Sequence, residues 1–221
     1  MTQVAIDGPG GAGKSTIAKA VAKELGWIYV DTGAMYRAVG LSALKRGLSI
    51  RQQQAEVEAM VPSLDIQLRF SEGCQRIFLD GEDVSEAIRT PEVSLAASDV
   101  SAISKVREAL LERQRQLAET ENVVMDGRDI GTVVLPHARV KLFLTASAEE
   151  RARRRHRELA AKGEEVPFEQ VLADLCYRDK QDSTRAAAPL RMAKDAVLVD
   201  TTGLSLEQST AKVLELIRER I

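Results

Sequence analysis

Five short apolar runs punctuate the chain, at positions 3–7 (QVAID), 27–30 (WIYV), 122–126 (NVVMD), 140–144 (VKLFL) and 196–200 (AVLVD). Runs this short, continuous in Val, Ile and Leu rather than alternating with polar residues, predict strands covered on both faces, as in a parallel sheet. Between them the hydrophobic period lengthens. Ile17, Val21 and Leu25 recur at helical spacing over 14–25 and Gly26 follows, which predicts a helix and its stop. A second helix, 34–46, is likewise closed by a glycine. Strand and helix alternate, so the opening of the chain predicts an α/β fold with helices flanking a five-stranded parallel sheet.

The rhythm then changes. Positions 64–70 and 76–80 read as two strands joined by the short segment 71–75, an antiparallel hairpin. Helices at 92–101 and 105–119 follow. The block 61–100 therefore reads as an insertion carrying a small antiparallel sheet, set into a core made of 1–60 and 101–221. Farther on come an arginine-rich helix at 148–161, a break at Lys162-Gly163, and a helix at 167–181. Ser205 caps a last helix that packs through Val213, Leu214 and Ile217. No internal repeat or low-complexity linker interrupts this order.

Composition narrows the class. The chain has 221 residues, 44% of them hydrophobic, enough to bury a core and unlike a disordered protein. No apolar run approaches the ~18 residues of a membrane span, and strand 3–7 begins without a basic leader, so a cytoplasmic protein is expected. Cys74 and Cys176 are too few for a disulfide framework or a zinc site and read as ordinary thiols. A net charge of -2 lacks the basic footprint of a nucleic-acid binder. Positive charge is concentrated instead, above all in Arg151, Arg153, Arg154, Arg155 and Arg157. That distribution suits a small polyanion; the expected assembly is a monomer.

The chemistry starts at the end of the first strand. Gly8, Pro9, Gly10, Gly11, Ala12, Gly13, Lys14 and Ser15 satisfy G-x-x-x-x-G-K-[ST] between a predicted strand and a predicted helix, the context a P-loop requires. Its glycines let successive N–H groups face a phosphate chain, and the helix N-terminus adds partial positive charge. Lys14 reaches the β- and γ-phosphates, Thr16 follows in the same turn, and the Ser15 hydroxyl is the candidate ligand for Mg²⁺. Asp126, at the end of an apolar strand, stands where such enzymes place a carboxylate for the metal or its waters, and Asp129 is a second acid close by. Arg37, Arg107, Arg128, Arg178 and Arg185 are scattered candidates for fixing an acceptor phosphate and neutralising the transferred group. Neither a guanine-reading N-K-x-D nor a transporter L-S-G-G-Q is present, which argues against a GTPase switch and a transporter ATPase.

Beyond the P-loop, several stretches carry a resemblance. Asp31-Thr32-Gly33-Ala34-Met35-Tyr36-Arg37, Asp83-Val84-Ser85 with Ile88-Arg89-Thr90, and Val106-Arg107-Glu108-Ala109-Leu110 are three of them. Asp126-Gly127-Arg128-Asp129-Ile130-Gly131-Thr132-Val133-Val134 and Arg185-Ala186-Ala187-Ala188-Pro189-Leu190 complete the set. Together they resemble the bacterial cytidylate kinase family from end to end, with Thr32 where that family often has serine. The resemblance implies transfer of phosphate from ATP to CMP or dCMP with Mg²⁺, an enlarged monophosphate-binding insertion and a short helical lid. It implies that Asp31, Thr32, Tyr36, Arg37 and Arg128 hold the acceptor and its phosphate. Ser98, Arg107 and Asp129 would read cytosine, and Arg178, Asp182 and Arg185 would engage sugar or phosphate as the lid brings Arg154 over ATP. Lys14, Arg128, Asp129, Arg178 and Arg185 are the catalytic set so implied. A carboxylate accepts from the C4 amine of cytosine, whereas uracil presents a carbonyl there. An adenylate- or shikimate-type kinase shares the P-loop and an arginine lid, and a non-catalytic ATP-binding module shares the P-loop alone. These are the alternatives.

Overall fold

The computed structural model describes residues 1–71 and 74–221. Its first half runs β1 (Gln3–Asp7), α1 (Lys14–Leu25), β2 (Ile28–Asp31), α2 (Thr32–Lys45), α3 (Gln54–Met60), β3 (Ile66–Ser71), β4 (Cys74–Leu79), β5 (Glu82–Asp83), α4 (Pro91–Ser101) and α5 (Ser104–Gln116). The second half runs β6 (Val123–Gly127), β7 (Val140–Thr145), α6 (Ala148–Ala161), α7 (Phe168–Thr184), β8 (Val197–Asp200) and α8 (Leu206–Arg218).

The five apolar runs are the five strands of one sheet, in the order β2-β6-β1-β7-β8, with every pairing parallel. β1 lies at its centre, with Ile6 opposite both Asp126 and Leu142. Helices cover both faces, so Ile6, Met125, Leu142 and Leu144 are fully buried, each worth roughly 1.5–3 kcal/mol. The strands end together at their C-terminal edge, and that edge carries Asp7, Asp31 and Asp126.

The antiparallel pair is present, but it is longer than its apolar pattern suggests. β3 and β4 stay paired out to Ser71 opposite Cys74, so the connection 71–75 is mostly strand. Its residues 72 and 73 lie outside the described residues. β5 adds a third strand. This sheet packs with α2, α3, α4 and α5 into its own apolar cluster, from Ala34 to Leu110. The short helix α3 was not legible in the sequence, because only Val57 and Met60 of its seven residues are buried.

Two boundaries matter for the site. The side chain of Asp31 accepts from the N–H of Ala34 and caps α2, so that helix starts at Thr32 rather than 34. After β6, residues Ile130–Val134 form a π-helical turn, a rare geometry frequently found at functional sites. On the far side, Gln75 of β4 clasps the backbone of Asp31. Its Oε1 accepts from the Asp31 N–H at 2.8 Å, and its Nε2 donates to the Asp31 carbonyl at 3.3 Å. Ser205 caps α8 in a reciprocal box with Gln208. Among the described residues no helix is long and apolar enough to cross a membrane.

Candidate active site

The glycine turn leaves β1 at Gly8, whose φ of 146° belongs to the region only glycine adopts freely. A Cβ there would lie 1.9 Å from the Leu144 carbonyl oxygen, so the loop hugs β7. Gly13, also left-handed at φ 85°, precedes α1 without any side-chain cap. The first amides of α1 are thus free for an anion. Inside the loop the Lys14 ammonium donates to the Pro9 carbonyl at 2.7 Å. Burial, with Arg128 beside it, holds its pKa well below the ordinary lysine value.

Facing the loop, the Ser15 hydroxyl donates to Asp126 Oδ2 at 2.8 Å, and the Tyr29 hydroxyl donates to Oδ1 at 2.9 Å. Thr32 Oγ1 donates to the Asp126 carbonyl at 2.9 Å. Burial and the nearby Asp31 raise the Asp126 pKa. Asp31 behaves oppositely. Burial pushes it up, but Arg37 at 2.6 Å and Arg89 at 3.4 Å outweigh that and hold its pKa below the usual carboxylate range.

A cavity of about 770 Å³ separates this loop from a wall of paired charges. Asp129, 4% exposed, ion-pairs with Arg107 and, at 3.4 Å, with Arg185. Arg185 also donates to Ser101 Oγ at 3.0 Å and to the Ala188 carbonyl at 2.8 Å. Asp182, on α7, accepts from Arg128 Nε at 2.8 Å and from Ser98 Oγ at 3.4 Å. Among the described residues, the Nε atoms of Arg37 and Arg178 are buried with no hydrogen-bond partner. Burial, then Arg128, pulls the Arg178 pKa down to about 10. Cations left short of partners in this way favour an incoming anion.

Asp182 yields a pH prediction. Burial raises its pKa, but Arg128, Arg178 and Arg185 reverse that and hold it below the ordinary value. Such a group stabilises the fold above its unfolded pKa, and the contribution is lost as pH falls through the folded value. Asp182→Asn should therefore be less stable than the parent at pH 7, with the gap closing below about pH 4. Urea unfolding across pH measures the gap, and a gap that stays constant with pH would contradict the ion-pair account.

Of the residues expected from the sequence, all line the cavity except Gly8, Pro9 and Arg154. Gly8 and Pro9 form the end of the loop next to β1. Arg154 holds Thr201 through Oγ1 at 3.1 Å and the carbonyl at 2.7 Å, with its Nη1 still close to Gly13. The arginine-rich helix is divided in role. Arg153 and Arg157 are exposed, Arg155 reaches the cavity, and Arg151 is buried. Arg151 donates to the Gly10 carbonyl at 2.9 Å and pairs with Asp179 at 2.7 Å, tying the glycine turn to α7. Sequence reading gave Asp7, Lys19, Arg89 and Ser101 no role, and took Arg151 only as one of a basic cluster suited to a small polyanion. The one signal for Arg89 was its place inside a matched stretch.

A glycine turn at the centre of a parallel sheet, facing acids and arginines across one cavity, defines a P-loop kinase. A family model described as cytidylate kinase matches residues 4–219. The cytidylate kinase of Caldicellulosiruptor bescii is 56% identical over 213 residues, covering 96% of this chain and 94% of that protein. That of Carboxydothermus hydrogenoformans is 54% identical over 215 residues, covering 97% and 96%. The chain belongs to the cytidylate kinase family. Among solved structures, an uncharacterized protein from Eubacterium ventriosum aligns over the whole of both chains with a TM-score of 0.55 at 11% identity, a likeness of fold alone.

Proposed function

We propose that this chain transfers the γ-phosphoryl group of ATP to CMP or dCMP, giving ADP and CDP or dCDP. The observation that carries the reading is Asp129, a buried carboxylate gripped by Arg107 and Arg185 on the cavity wall opposite the P-loop. Its fixed acceptor oxygens suit the C4 amine of cytosine and repel the carbonyl of uracil. The acceptor phosphate is itself an anionic nucleophile, so positioning and charge neutralisation can supply most of the catalysis. Arg37, Arg128 and Arg178 would orient that phosphate, Lys14 would draw charge from the γ-phosphoryl group, and Asp182 and Arg185 would hold the sugar side.

Mg²⁺ supplies further neutralisation of the triphosphate when bound. Ser15 Oγ and Asp126 Oδ2, 2.8 Å apart beside the loop, are hard oxygen donors that fit it. Among the described residues no cluster of three metal-ligating side chains forms. A cation held by one or two protein oxygens plus substrate phosphates is the usual Mg²⁺ arrangement.

We read 61–100 as the inserted part of a monophosphate-binding domain on a core of 1–60 and 101–221; the apolar cluster beneath β3 and β4 also takes in residues of α2, α3 and α5, from Ala34 to Leu110. Arg155 and Lys162 on the cavity margin support a lid over 148–182 that closes and excludes water. On closure Arg154 would leave Thr201 and reach over ATP. The protein acts as a cytoplasmic monomer on nucleotides, not on nucleic acid.

ADP release, coupled to an optical readout, should depend on CMP or dCMP and be far weaker with UMP, AMP or shikimate. A preference for AMP or shikimate would overturn the assignment. Turnover independent of any acceptor would point to a simple ATPase.

A further inference from the structure

Asp7 is a buried acid that the proposed reaction does not use. It is the last residue of β1, directly before Gly8, and is 3% exposed. Among the described residues no lysine or arginine pairs with it. Its two oxygens instead accept from two successive backbone amides, Ile130 N at 2.7 Å and Gly131 N at 2.8 Å. Those amides open the π-helical turn. The same turn is closed on the carbonyl of Asp129, which accepts from Val133 N at 2.8 Å and Val134 N at 3.2 Å. Lys14 lies near enough to favour the charged form of Asp7 without pairing with it, and the two amides supply its hydrogen bonds. A buried carboxylate costs several kcal/mol unless such bonds are good. Burial raises the Asp7 pKa to about 6, with the two amides opposing that rise.

We infer that Asp7 is a positioning residue for base selection, fixing the turn that aims the Asp129 carboxylate at the acceptor base. The inference rests on the cytosine-reading role of Asp129 proposed above. Asp7 does not line the cavity, so its effect passes through the backbone of Ile130 and Gly131 to Asp129.

Asp7→Asn keeps the shape but turns one acceptor arm into an N–H donor facing an amide. Its KM for CMP should rise about tenfold and the CMP:UMP ratio of kcat/KM should narrow by a similar factor, while KM for ATP stays within about twofold. Gly131→Ala perturbs the contact from the other partner, since a Cβ there would lie 3.1 Å from Lys141 Cδ and 3.4 Å from Asp7 Oδ2. The same narrowing, about threefold, is expected, and this variant carries the test if Asp7→Asn does not fold. In an Asp129→Ala background, Asp7→Asn should add little, because both act on one contact. An unchanged CMP:UMP ratio in both variants, KM for ATP rising as far as KM for CMP, or full additivity with Asp129→Ala would each overturn the inference. Failure of Asp129→Ala to impair CMP use would instead overturn the base-reading proposal itself.

Discussion

Replacing Lys14 with methionine should lower kcat by about 10³-fold while leaving the melting temperature within a few degrees of the parent. Methionine keeps the unbranched stem inside the loop and removes only the charge. In the folded chain that charge is poorly supported, since burial and Arg128 both disfavour the ammonium and Pro9 offers its one hydrogen bond. Removing it costs one neutral-acceptor contact and relieves a desolvated cation, two terms of opposite sign. The transferring phosphoryl group has no such substitute. Kinetics at saturating ATP and CMP, beside a thermal melt, separate the two effects. Near-parental turnover in a folded variant would remove Lys14 from the chemistry.

The second large effect is expected at Asp129. Asp129→Ala removes the carboxylate that would accept from the C4 amine of cytosine, a charged hydrogen bond whose loss should lower kcat/KM for CMP by about 10²-fold. By stranding Arg107 and Arg185 it should separately cost about 3–5 kcal/mol of stability. UMP gains no such contact in the parent and should lose much less. Asp129→Asn is the sharper probe. It keeps the volume, supplies an amide donor that the C4 carbonyl of uracil accepts, and should shift preference toward UMP. Equal losses on CMP and UMP would mean that Asp129 serves packing rather than recognition.

The parallel sheet was legible because its signal is local. Five apolar runs, each bounded by a turn, need nothing distant to be read. The P-loop was legible for the same reason, its glycines and Lys14 lying within eight residues. What stayed hidden depends on pairing across the chain. Asp129 finds Arg107 and Arg185, 22 and 56 positions away, and no periodicity encodes that choice. The run Ile130–Val134 carries no sign of its π-helical turn, whose leading amides are satisfied by Asp7, 123 and 124 residues earlier. Arg151 and Arg153 look alike in a basic helix, yet one is buried against Gly10 and the other faces water. Helical geometry sets their directions apart, but only the tertiary contact says which direction is the inside.

The clasp between Gln75 and Asp31 has a consequence for the behaviour of the protein in concentrated solution. An open parallel sheet ends in unpaired backbone groups, and a bare strand edge is a template on which another chain can add. At β2 the amide of Gln75 occupies both the N–H and the carbonyl of Asp31, doing with one side chain what a sixth strand would do with its backbone. The opposite edge, β8, is only four residues long. Gln75→Ala should thus be read first in light scattering after gentle heating, where sheet-to-sheet association would appear before any change in nucleotide chemistry.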